Sequence, residues 1–171
     1  PDGTLVLSAG RALPAALPLV IDLLRQAAER RPDVTFLAER RGSDRAWQLL
    51  SYAEAWAKTG AVASWLIAEG YGPGSRPVAI LSDNSLENAL FLFGALRAGV
   101  LVAPLSPNHS LSGDFARLDH AFGIVEPGLV FAQDSAAYGG ALDRAAARGA
   151  GIVTVDGQRG RAFAALAACS V

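Results

Sequence analysis

The chain has 171 residues, 51 % of them hydrophobic and 18 % charged, with a formal net charge of −1. A chain of this length buries about 70 % of the surface its unfolded form exposes, enough for one core without covalent staples. No run of like charge gives nucleic acid a footing, Cys169 alone cannot form an internal disulfide or a metal-ligand spacing, and no apolar run reaches the length of a membrane span, so a soluble cytoplasmic protein is expected.

In chain order, residues 1–18 carry scattered proline and glycine and read as an irregular arm. From Leu19 the apolar positions Leu19, Leu23, Leu24 and Ala27 recur at helical spacing, and Pro32 ends that helix at Arg31. Thr35 to Arg40 and Ala46 to Leu50 flank a turn-rich stretch and predict a β-hairpin. Ser51 and Glu54 then have capping-box spacing, and Ala53, Trp56, Gly60, Ala63 and Ile67 line one face of a second helix ending at Gly70. Beyond it, apolar runs at Pro77 to Leu81, Val100 to Leu105, Gly128 to Ala132 and Gly151 to Val155 predict strands. Helices are predicted over Leu86 to Ala98, Leu111 to Phe122, Ala136 to Arg148 and, at the end, Phe163 to Ala168. Strands spaced like βαβ units and apolar throughout imply an α/β fold, a mostly parallel doubly wound sheet preceded by the hairpin. The helix from Leu86 is apolar nearly all round and the last helix has no polar cap, so residues 19–171 are expected to be an incomplete subdomain of a larger body.

Several polar clusters invite a chemical reading. Gly70, Gly72 and Gly74 close a helix and precede a strand, the reverse of a dinucleotide fingerprint, and read as a connecting loop. Ser82-Asp83-Asn84-Ser85 falls at the carboxyl end of a parallel strand, where ligands bind. Asn84 with Glu87 nonetheless has capping-box spacing that accounts for it without a ligand. Ser106-Pro107-Asn108-His109-Ser110 occupies the equivalent place one strand later and reads as a solvated turn or a ligand neighbour. His120 reads as solvent-facing, and Cys169 has no histidine near it in sequence.

Taken together, Leu50-Ser51-Tyr52-Ala53-Glu54, Arg76 to Ser85, Gly94-Ala95-Leu96-Arg97-Ala98-Gly99-Val100 and Ala103-Pro104-Leu105-Ser106-Pro107 resemble the start of the adenylate-forming acyl-CoA synthetases, in order and in spacing, from about Leu19 to Asp134. Phe36-Leu37-Ala38-Glu39-Arg40, the Ser-Pro pair, Ser110-Leu111 and Pro127 to Ala132 look like feruloyl-CoA synthases within that group. The resemblance implies an enzyme that activates a carboxylic acid, here a hydroxycinnamate such as ferulate, with ATP and Mg²⁺ to an acyl-adenylate, and then transfers the acyl group to CoA. It also implies a phosphate-binding Ser/Thr/Gly-rich loop and a C-terminal lysine, neither of which matches a stretch of this sequence, so no catalytic and no metal-binding residue is assigned. This polypeptide alone is expected to be inactive and to hold none of the cofactors tightly. Asn108 stands where some relatives place a basic residue that holds the CoA nucleotide, with His109 beside it; these two are the cofactor-proximal candidates. A homodimer is left open. The alternatives are a self-contained flavodoxin-like module binding a nucleotide or a protein, a non-catalytic homologue used for assembly, and a fatty-acid-type synthetase.

Overall fold

The computed structural model describes residues 3–5, 8, 10 and 18–167. Most of the expected arm, together with Ala168 and Cys169, lies outside the described residues. Among those described, helix α1 (Val20–Arg30) leads into a hairpin, β1 (Thr35–Arg41) and β2 (Ala46–Ser51), and then into α2 (Tyr52–Ala68). The hairpin is antiparallel, pairing Leu37 with Leu50 and Glu39 with Gln48. At the start of α2 the capping box forms as expected: Ser51 Oγ accepts from Glu54 N at 3.2 Å and Ser51 N donates to Glu54 Oε2 at 2.8 Å.

The rest is β3 (Val78–Leu81), α3 (Leu86–Arg97), β4 (Val102–Leu105), α4 (Pro107–Leu111), α5 (Ala116–Val125), β5 (Leu129–Ala132), α6 (Gly139–Ala147), β6 (Gly151–Thr154), β7 (Arg161–Ala162) and α7 (Phe163–Ala167). The sheet runs β4-β3-β5-β6-β7, parallel throughout. Successive strand residues point to opposite faces, which divides the core in two. Val78, Ile80, Phe131 and Val153 pack with α2, α3 and α7 on one face, while Ala79, Leu81, Val130 and Ala132 pack with α5 and α6 on the other. The doubly wound parallel sheet expected from the apolar runs is present. α2 and α3 approach closely because Gly94 has no side chain: a Cβ there would sit 2.5 Å from Val62 Cγ1.

Three local readings are corrected. Of residues 106–110, read as a solvated turn or a ligand neighbour, Pro107 to Ser110 belong to the helical turn α4; Pro107 at its first position has φ already set for a helix and gives up no backbone hydrogen bond. The helix expected over Leu111 to Phe122 accordingly starts later, at Ala116, after a turn through Gly113, whose φ of +77° suits glycine. Ser85, not Asn84, caps α3 by accepting from Asn88 N at 3.0 Å. Glu87 is unable to complete the expected box with Asn84 because its carboxylate is held by Arg41 of the hairpin, while Glu39 accepts from Leu86 N at 3.0 Å.

Candidate functional site

The chain leaves β3 for β4 on one side and returns to β5 on the other, so the carboxyl ends of β3 and β5 diverge at a topological switch point, the usual place for a ligand in an open α/β sheet. Ser82 there is buried, its hydroxyl 2.7 Å from Asp83 O and 3.1 Å from Gln133 Oε1, which ties the two loops together. After β5, Asp134 Oδ1 accepts from Ala136 N and Ala137 N at 2.8 Å each, holding back the start of α6 to Gly139. Tyr138, in the turn so formed, is only 3 % exposed, and its phenolic oxygen is buried without a hydrogen-bond partner. Burial pushes the Tyr138 phenol up, and the nearby charges of Asp83 and Asp134 push it further.

The loop after β6 is pinned to this edge. Asp156 Oδ2 accepts from Ser135 Oγ at 2.6 Å and from Ser135 N at 3.2 Å. Those bonds, the Ser135 hydroxyl foremost, together with the Gln158 amide and the Thr154 hydroxyl, outweigh desolvation and bring the Asp156 carboxyl down to about 2. A carboxyl depressed in the folded state stabilises above its unfolded value and loses that contribution as pH falls through the folded one. Thermal midpoints followed by circular dichroism should therefore fall between about pH 4 and pH 2, and less steeply in Asp156→Asn. Equal slopes for the two proteins would contradict the pinning role.

The residues singled out in the sequence are distributed around this edge. Asn84 and Asn108 are exposed, Asn108 on α4 just beyond β4. His109 is half-buried with Nδ1 unpartnered, and Ser110, buried beside it, also has an unpartnered hydroxyl. His109 lines an apolar cleft of about 520 Å³ together with Ala116, Arg117, His120, Ala121, Ile124 and Val125. His120 is exposed as expected, but the Gly113 turn folds α5 back so that both histidines line one cleft. Tyr138, Gln133 and Arg117 were not singled out. Only their places, just past a strand end or in the first turn of α5, mark them.

The sequence pattern of the AMP-binding enzyme family matches residues 24–168. The chain belongs to that family. Among its relatives, the nonribosomal peptide synthetase CymA of Salinispora arenicola is 29 % identical over 121 residues, which is 71 % of this chain and 1 % of CymA. The structure of VinN with 3-methylaspartate superposes with a TM-score of 0.71 at 22 % identity, over 88 % of this chain and 36 % of VinN. ATP-bound MatB from Rhodopseudomonas palustris gives 0.62 at 26 % identity, over 88 % of this chain and 28 % of MatB. The chain thus spans a small part of each, and its sheet matches the N-terminal subdomain of adenylate-forming enzymes. In this member of the AMP-binding family Asp83, Asp134 and Asp156 follow the carboxyl ends of β3, β5 and β6, and no phosphate chemistry is assigned to them. Among the described residues no group of three or more His, Cys, Asp or Glu side chains is placed to hold a metal ion, and no helix is long and apolar enough to cross a membrane.

Proposed function

We propose that residues 19–171 form the opening part of an ATP-dependent carboxylic acid–CoA ligase, which converts an acid to its acyl-adenylate and then to its CoA thioester. The acid in this reading is a hydroxycinnamate such as ferulate. The family match over residues 24–168 is the observation that carries the adenylate-forming chemistry; the choice of ferulate rests on the resemblance of Phe36 to Arg40, Ser106-Pro107 and Pro127 to Ala132 to feruloyl-CoA synthases. ATP and Mg²⁺ serve the adenylation in the complete enzyme, held by residues outside this chain.

Asn108 and His109 contribute to the CoA side in this reading. Asn108 supplies neutral hydrogen-bonding groups where a cation would hold a nucleotide phosphate. His109 borders an apolar cleft suited to the pantetheine arm, and Arg117 in the same cleft carries the positive charge that Asn108 lacks.

The test uses ATP–pyrophosphate exchange. The chain of 171 residues should give none, while the enzyme containing this segment should exchange with ferulate and release a thioester when CoA is added. Turnover by the short chain alone would overturn its assigned inactivity. A second reading, an amino-acid-activating part of a peptide synthetase, is favoured by the likeness to CymA, and exchange with amino acids in place of ferulate would establish it.

A further inference from the structure

A groove on the far side of α1 has the character of a second binding site. Leu24 and Ala27 anchor α1 to the core, yet Leu19, Val20 and Leu23 remain 69 %, 51 % and 50 % exposed. Facing Val20 and Leu23 stand three partly buried aromatic rings, Phe36 5.0 Å from Tyr52 and 5.7 Å from Phe93, centre to centre. The space between helix and rings is about 400 Å³, within the range of about 300–1,000 Å³ that small-molecule sites occupy. Two arginines, Arg30 and Arg31, line the same groove, and no carboxylate does. Arg31 is held with its guanidinium 5.4 Å from the centre of the Tyr52 ring. Among the described residues neither arginine has an ion-pair partner, whereas Arg25, on the same helix, is paired with Glu29 at 2.7 Å.

An apolar wall with two unpaired guanidinium groups at its edge selects a ligand that is apolar along its body and anionic at one end. A cation is repelled, and a neutral hydrocarbon leaves the arginines unused. We propose that this groove binds an amphiphilic carboxylate, with its hydrocarbon part against Phe36, Tyr52 and Phe93 and its head group on Arg30 and Arg31. The site shares no lining residue with the loops after β3, β4 and β5 or with the His109 cleft, so it stands whatever acid the enzyme activates. A ligand there bridges α1, the hairpin, α2 and α3 and stabilises their packing.

Titration of the chain with dansyl-undecanoic acid, followed by dansyl emission, tests this. Saturable enhancement is expected, displaced by decanoate and far less by decanol. Arg30→Ala combined with Arg31→Ala should weaken binding roughly five- to tenfold, two exposed charge pairs being lost. Leu23→Asp, which puts a carboxylate in the groove, should abolish it. Leu23 is half-exposed, so an unchanged thermal midpoint will show that the variant folds, and the arginine variant carries the test if it does not. Absence of saturable enhancement, equal displacement by decanol, an unaffected arginine variant, or loss of binding with Ile124→Asp in the other apolar cleft would each overturn the assignment.

Discussion

Phe131→Ala is expected to lower the stability of the chain by about 3–5 kcal/mol, the cost of removing a large buried aromatic from a core unable to close around the void. Phe131 lies on β5, the middle strand of the sheet, and is fully buried. Its ring stacks on Phe91 of α3 at 4.6 Å and 16° and meets Phe163 of α7 edge-on at 5.8 Å and 70°, so truncation removes two aromatic contacts as well as buried area. Phe131→Leu keeps much of the volume and should lose less, about 1.5 kcal/mol or under. Urea unfolding of the two variants and the parent measures this directly. A Phe131→Ala loss below about 1 kcal/mol, typical of a peripheral position, would mean that this stack does not hold the sheet to α3 and α7.

The strands around that ring were legible because their physics is local. Val78–Leu81 and Leu129–Ala132 are buried at every position, and a run apolar on both faces has few places to go other than the middle of a parallel sheet. The hairpin and the α2 capping box were legible for the same reason, since each is specified within a few residues. What escaped was set by distant partners. Asn84 with Glu87 and Ser85 with Asn88 both have cap-like spacing, and the choice between them depends on Arg41, far away in sequence, drawing the Glu87 carboxylate off. Tyr138 looked like one more residue of a helix from Ala136, because nothing nearby shows that Asp134 would hold that helix back. β7 is two residues long, too short for any periodicity. The shared cleft of His109 and His120 depends on how α5 packs after the Gly113 turn, so the one site that pairs the histidines was invisible until the helices were in place.

Arg41→Met should cost about 2–3 kcal/mol, somewhat below the loss for breaking a fully buried ion pair, because the groups keep some contact with water: the side chains of Arg41, Glu39 and Glu87 are 29 %, 22 % and 16 % exposed. Arg41 Nη2 bonds Glu39 Oε2 at 2.7 Å, Arg41 Nη1 bonds Glu87 Oε1 at 2.7 Å, and together they fasten the hairpin to the first turn of α3 beside the switch point. Burial pushes the Glu39 carboxyl up, but its bond to Arg41, the Leu86 N–H and the Arg41 charge together hold it below its ordinary value. In the parent, therefore, the Glu39 contribution is present above the unfolded carboxyl pKa and fades as pH falls through the folded one. Without the guanidinium, Glu39 loses the bond and the charge that Arg41 supplied, while burial and the Leu86 N–H remain, so its folded pKa moves back up toward the unfolded value. The variant's stability therefore depends less on pH than the parent's between about pH 5 and pH 3. Urea midpoints across that range should accordingly fall less steeply for the variant than for the parent. A parallel pair of profiles would show that the three side chains do not act as one charge cluster.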